Sequence, residues 1–64
     1  MGRVRPGGFV FVWWKGDHAP RHVHVYREGK FVVKWDLDNW KAMKGEASRQ
    51  VVELIAGLVS EGLL

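Results

Sequence analysis

The chain has 64 residues, no cysteine and a formal net charge of +3; a single domain of this size buries only about 60% of the surface that its unfolded chain exposes. The missing cysteines exclude disulfides, thiol catalysis and thiolate zinc sites, and favour a reducing, cytoplasmic compartment. No apolar run approaches the ~20 residues of a membrane span, and the N-terminus has no apolar signal segment. We therefore expect one soluble domain over residues 1–64.

Positive charge is concentrated in the first half of the chain. Residues 1–34 contain seven Lys or Arg and two acidic residues, whereas residues 35–64 contain three Lys or Arg and five acidic residues. The basic half is suited to phosphate and the acidic half to partner docking, although ordinary scatter of surface charge gives the same numbers.

The first elements are an arm and a strand. Residues 1–8 hold two arginines, one proline and three glycines, a composition typical of a flexible arm. Phe9 to Trp14 is an unbroken aromatic and β-branched run, which predicts a strand buried on both faces. Lys15-Gly16-Asp17 ends this strand.

A hairpin follows. Residues 22–27 read His-Val-His-Val-Tyr-Arg, an alternation that predicts a second strand with two distinct faces. Glu28-Gly29 is a two-residue turn signal, and Lys30 to Leu37 is the third strand.

The two-residue turn predicts the register of this hairpin. Arg27 should pair with Lys30, His24 should face Val33, and His22 should face Trp35. One face then carries His22, His24, Tyr26, Phe31, Val33 and Trp35, and the other carries Val23, Val25, Arg27, Lys30, Val32 and Lys34. Arg27, Lys30 and Lys34 would form a basic ridge on that second face.

The C-terminal part predicts a turn and a helix. Asp38-Asn39 suits a turn, and the segment from Trp40 to Lys44 is either a short strand or a helical turn. From an N-cap at Ser48, apolar residues recur at helical spacing up to a C-terminal stop at Gly62. The expected fold is a small α+β domain of order β-β-β-α, an antiparallel three-stranded sheet with one C-terminal helix across one face; which face the helix covers is left open.

The chemistry of the chain is concentrated between residues 17 and 24. Asp17-His18-Ala19-Pro20-Arg21-His22-Val23-His24 holds all three histidines and one carboxylate. His22 and His24 project to one side of their strand, with Cα atoms roughly 6–7 Å apart. Asp17 can accept a ring N–H and orient an imidazole.

The pattern D-H-x-P-x-H-x-H closely resembles the signature D-H-x-P-P-H-x-H of a bacterial family of small proteins numbered 4160 among the domains of unknown function. Arg21 replaces the second proline. The resemblance covers most of the chain and implies a small cytoplasmic protein of toxin–antitoxin type, which works on or with nucleic acid and with a cognate toxin or antitoxin partner.

Three interpretations of the motif remain open. The first is binding or acid–base processing of nucleic acid, RNA above all, by a catalytic set of Asp17, His18, His22 and His24 without a cofactor. The second is a non-catalytic corner or protein interface, including a homodimer; the third is a histidine-based metal site. The predicted nucleic-acid contacts are Arg3, Arg5, Lys15, Arg21, Arg27, Lys30 and Lys34.

The four tryptophans allow two uses. Trp13, Trp14, Trp35 and Trp40 can stack on bases, as aromatic side chains do in single-strand binding folds. Packing in the core or in a dimer is the commoner use of such residues.

Overall fold

The computed structural model describes residues 2–14 and 21–64. Among these residues, five strands form one antiparallel sheet in chain order, and one α-helix follows them. The elements are β1 (Gly2–Val4), β2 (Val10–Trp13), β3 (His22–Arg27), β4 (Lys30–Asp36), β5 (Lys41–Gly45) and α1 (Arg49–Ser60). The α+β class and the C-terminal helix are confirmed, but the prediction of three strands is wrong.

The two additional strands flank the three predicted ones. Gly2–Val4, which lies inside the segment expected to be a flexible arm, pairs with β2, and Lys41–Gly45 pairs with β4. The indole of Trp13 occupies the space where a side chain on Gly2 would be. Short segments rich in glycine or lysine have little strand propensity of their own, so their pairing with a neighbouring strand makes them strands.

The register of the central hairpin contains a β-bulge. Arg27 pairs with Lys30 as predicted, but Tyr26 pairs with Phe31 while Val25 pairs with Val33. Val32 is therefore an extra residue on β4. A shift of one residue moves every following side chain to the other face of the sheet.

The bulge determines what α1 covers. Val33 and Trp35 join Val23 and Val25 on the helix side, so the prediction that His24 faces Val33 and His22 faces Trp35 is wrong; their partners are Lys34 and Asp36. The helix covers the valine face. The buried core consists of Phe9, Phe11, Val23, Val25, Val33, Trp35, Val51, Ile55 and Leu58.

The helix begins and ends where the sequence predicts. The Ser48 Oγ accepts the backbone N–H of Val51 at 3.3 Å. At the other end, the N–H groups of Gly62 and Leu63 donate to the carbonyls of Val59 and Leu58, each at 3.0 Å. These two bonds are those of a Schellman motif, which the positive φ of Gly62 permits.

Substitution by alanine should have opposite effects on stability at Gly45 and Gly57. Gly45 has a φ of +79°, and a Cβ there would collide with the carbonyl oxygen of Val32, the bulge residue. The helix-interior position of Gly57 predicts a close approach to the sheet or to another chain. A Cβ added there would meet no heavy atom of the described residues beyond the helix backbone within 4 Å, so the prediction for the sheet is wrong, and approach of another chain stays a prediction. We predict that Gly45→Ala lowers the free energy of unfolding by at least about 1–2 kcal/mol, and that Gly57→Ala raises it by roughly 0.5–1 kcal/mol.

Urea unfolding of the two variants beside the parent chain measures both effects. A neutral Gly45→Ala would show that the β4–β5 pairing does not require a left-handed residue. A destabilising Gly57→Ala would show that something covers this side of α1.

Candidate nucleic-acid interface

The sheet face opposite α1 carries one cross-strand line of neighbours, one residue from each strand. Arg3 lies beside Val12, Val12 beside His24, His24 beside Lys34, and Lys34 beside Lys44. We call these five residues the central row. The row holds three permanent cations and one imidazole, and no carboxylate lies within it.

The whole face not covered by the helix is here called the open face. Because side chains alternate along each strand, the register assigns its other members from the residues of the central row. Its residues are Arg3, Val10, Val12, His22, His24, Tyr26, Phe31, Lys34, Asp36, Lys41 and Lys44. The sequence correctly predicts that His22, His24, Tyr26 and Phe31 share a face, whereas Val33 and Trp35 do not belong to it.

Aromatic rings flank the central row on both sides. The Trp14 ring meets the His24 ring edge-on, with centroids 5.1 Å apart, and the His22 and His24 centroids are 5.2 Å apart. On the other side, Tyr26 and Phe31 form an edge-to-face pair at 6.0 Å. Trp14 and Phe31 remain 41% and 45% exposed, so the open face presents apolar rings beside cations.

The carboxylate that pairs with His22 is engaged in a turn. Asp36 pairs with His22 across the β3–β4 ladder and is buried. Its Oδ1 accepts the backbone N–H groups of Asp38 and Asn39, each at 2.9 Å, and its Oδ2 accepts the Asn39 side-chain amide at 2.8 Å. The hydrogen bond from the Asn39 side chain is the main cause that lowers the pKa of Asp36. Asp36 therefore organises the turn that the sequence predicts at Asp38-Asn39.

Arg21 is tied to the same turn. Its backbone N–H donates to Asp38 Oδ2 at 2.8 Å, its Nε donates to Asp38 Oδ1 at 3.1 Å, and its carbonyl accepts the N–H of Leu37 at 2.8 Å. These bonds also lower the pKa of Asp38, with the backbone N–H of Arg21 as the main cause. Arg21 thus anchors the start of the histidine strand.

The other predicted contacts fall into three groups. Arg3, Arg5 and Lys34 lie on or beside the open face. Arg27 stacks over the core ring of Phe9 at 5.1 Å, and Lys30 pairs with Arg27 on that helix side, so Arg27, Lys30 and Lys34 do not form one ridge. Lys15, Asp17 and His18 lie outside the described residues.

The structure also adds residues that the sequence did not indicate. Lys44 joins the central row because β5 pairs with β4, and no local pattern marks that pairing. The tryptophans divide as well: Trp35 is buried in the core against Trp40, with centroids 5.5 Å apart, whereas Trp14 contacts His24. Only some of the predicted stacking residues are therefore placed to meet a ligand on the open face.

The metal interpretation depends on Asp17, His18, His22 and His24. Among residues 2–14 and 21–64, no group of three or more histidine and acidic side chains is arranged to hold a metal ion. Two of the four residues on which the interpretation depends, Asp17 and His18, lie outside those ranges, so a metal site at the motif stays a prediction. In the part of the chain that is described, no helix is long and apolar enough to cross a membrane.

Comparison with protein families identifies a family that covers most of the chain. A family model described as "Domain of unknown function (DUF4160)" matches residues 8–62, which is most of the chain. No curated protein and no solved structure matches this chain.

The two turn carboxylates predict acid sensitivity. The pKa values of Asp36 and Asp38 are lowered in the folded state, so the stabilisation from these groups is complete above the unfolded value of about 3.9 and is lost as the pH falls through the folded values. We predict that the contribution of these two carboxylates to the free energy of unfolding is constant down to about pH 5 and falls as the pH decreases further. Asp36→Asn should lower stability at neutral pH and flatten this fall.

Urea midpoints measured from pH 7 to strongly acidic pH test the prediction. If the parent and Asp36→Asn lose stability in parallel below pH 4, other carboxylates cause the acid sensitivity.

Proposed function

We propose that this chain, which belongs to the family described as Domain of unknown function (DUF4160), binds single-stranded RNA across its open face. The observation that carries the proposal is the central row, in which Lys34 and Lys44 lie directly opposite each other. Like charges opposed across two strands destabilise a sheet. A bound polyanion relieves this repulsion, and a phosphate backbone is a polyanion.

The dimensions of the row suit an extended strand. Neighbouring strands lie about 4.7–4.9 Å apart, so the row from Arg3 to Lys44 crosses four spacings, or roughly 19 Å. Its cations lie at both ends of this line, with His24 and Val12 between them. A nucleic acid that follows the row therefore meets positive charge where it enters and where it leaves.

The exposed rings support a single-stranded ligand. Trp14 lies next to His24, and Phe31 lies next to Tyr26. Stacking of an unpaired base on such a ring contributes about 1–3 kcal/mol and tolerates any base. A duplex would not present its base faces to these rings. A protein partner would explain the exposed rings but would need an acidic patch to match the opposed lysines, so we rank the interaction-module and homodimer alternatives second.

The histidine pair extends the proposal from binding to processing. With ring centroids 5.2 Å apart, His22 and His24 can address one phosphodiester. One neutral imidazole takes the proton of a 2′-hydroxyl, whose oxygen attacks phosphorus, and one protonated imidazole gives its proton to the departing 5′-oxygen. The products are a 2′,3′-cyclic phosphate and a free 5′-hydroxyl. The toxin–antitoxin setting, the cognate partner and the cytoplasmic compartment stay predictions that rest on the family resemblance and the composition.

Two lysines of β4 provide a matched test of binding. Lys34 lies on the open face and Lys30 on the helix side of the same strand. We predict that Lys34→Gln weakens binding of a labelled single-stranded RNA several-fold and reduces the slope of log affinity against log salt by about 0.7, the value for one phosphate contact on a single strand. Lys30→Gln should leave both quantities unchanged.

Fluorescence anisotropy over a range of salt concentrations measures both quantities. Equal losses in the two variants would mean that binding follows net charge alone, and would contradict a specific open face.

The histidines have a separate test in cleavage. We predict that His22→Ala and His24→Ala each lower the cleavage rate of a fluorogenic RNA by about 10²- to 10⁴-fold, the contribution typical of a general acid or base. The salt dependence of RNA binding should not change. A DNA of the same sequence lacks the 2′-hydroxyl and should bind without being cut. Cleavage by both variants at the parent rate would overturn the catalytic part of the proposal and leave binding intact.

A further inference from the structure

An open groove lies beside the central row, along β2. Its volume is ≈ 680 Å³, and it is lined by Arg3, Arg5, Val10, Val12, Tyr26 and Glu28. This volume lies within the roughly 300–1,000 Å³ of small-molecule sites. Because Arg3 and Val12 also belong to the central row, a ligand in the groove would be continuous with a strand bound across the sheet.

One wall of the groove is cationic. Arg3 lies in β1, and Arg5 follows one residue after the end of that strand. Both side chains are exposed and line the groove, and within the described part of the chain neither has an acidic partner in an ion pair. Two guanidinium groups directed at one space suit a phosphate monoester, which carries close to two negative charges, better than a diester, which carries one.

The other wall is aromatic and acidic. Tyr26 pairs with Val10 across β2 and β3, so the two side chains are neighbours on the open face, and Val10 and Val12 form the apolar floor of the groove. A planar, largely apolar ring system fits between such surfaces. Glu28, at the end of this wall, can only accept hydrogen bonds when it is ionised. The wall therefore favours a flat ring that carries N–H donors on one edge.

The backbone at Glu28 supports a role for its side chain. Glu28 has a φ of +52° and is followed by Gly29 at +76°, which is the signature of a type I′ turn. Asparagine or glycine is preferred at the first of these two positions, and a glutamate is held there under strain. Strained non-glycine residues cluster at functional sites. The carboxylate is thus placed at the groove in a conformation that a turn alone would not select.

We propose that this groove binds the terminal nucleotide of an RNA that carries a phosphate monoester. The phosphate lies on Arg3 and Arg5, the base lies against Tyr26 and the valine floor, and Glu28 accepts hydrogen bonds from a base with a donor edge, guanine above all. The inference rests on the proposed function, because the remainder of the RNA then continues along the central row.

The first experiment uses mononucleotides. Titration of the ¹⁵N-labelled full chain with 5′-GMP, 3′-GMP, guanosine and 5′-UMP, followed by NMR, should move the resonances of Val10, Val12 and Tyr26. At least one of the two GMP isomers should bind ten-fold or more tightly than guanosine, and that isomer identifies the end of the RNA that is recognised. Equal binding of guanosine and both GMP isomers, or shifts elsewhere on the sheet, would overturn the proposal.

Two substitutions test the cationic wall and the acidic wall of the groove independently. Arg5→Gln should remove the advantage of GMP over guanosine, and Glu28→Asn should remove the preference for GMP over UMP. Asparagine suits the turn, so Glu28→Asn keeps the fold and should not lower thermal stability. Lys30 lies on the helix side of β4 and does not line the groove, so Lys30→Gln should leave GMP binding unchanged; a loss equal to that of Arg5→Gln would contradict the assignment.

The final arm distinguishes failure of the groove from failure of the proposed function. A guanosine-ended single-stranded RNA should bind about ten-fold more tightly with its terminal phosphate than without it, and Arg5→Gln should abolish the difference. If both RNAs bind equally and Lys34→Gln weakens both, the groove assignment is overturned and the proposed function is retained. If neither RNA binds, the groove assignment and the proposed function are both overturned.

Discussion

The bulge at Val32 is the constraint on which the rest of the structure depends. It places Val33 and Trp35 in the core with the helix, and the same shift turns Lys34 toward His24. Without the extra residue, a lysine would point into the core, and burial of an unpaired charge is far more costly than a local kink. Gly45 allows β5 to approach the backbone at this point. One unpaired residue therefore separates an apolar face from a cationic face in a very small domain.

Two networks hold the histidine strand between these faces. On the helix side, Val23 and Val25 are fully buried. At its start, Arg21 is bonded to Asp38, whose turn is organised by Asp36. The imidazoles therefore stand on a strand that is fixed along its length by packing and at its end by hydrogen bonds. A site built on such a strand keeps its geometry better than a site on a loop alone.

The features that the sequence predicted correctly are local. The cap at Ser48, the stop at Gly62 and the turn at Glu28-Gly29 depend on residues within a few positions of each other. The bulge depends on how β4 pairs with β3. Side-chain alternation counted without interruption from the turn predicts the wrong face for Val33 and Lys34. The sequence does contain a signal for the correct face. Val33 and Trp35 are apolar like the valines of β3, whereas Lys34 and Asp36 are polar like the histidines, so this contrast places Val33 and Trp35 on the valine face. Lys44 had no such signal.

Each strand of the sheet pairs with the strand next to it in the chain. In such a meander each strand pairs with its neighbour in the chain, so the sheet can assemble by successive hairpins with a small entropic cost per step, and topologies of this kind fold quickly for β-rich domains. The helix comes last in the chain. During synthesis, the valine face stays exposed to solvent until α1 has been made. A nascent chain is most prone to associate with other chains while such an apolar surface is exposed.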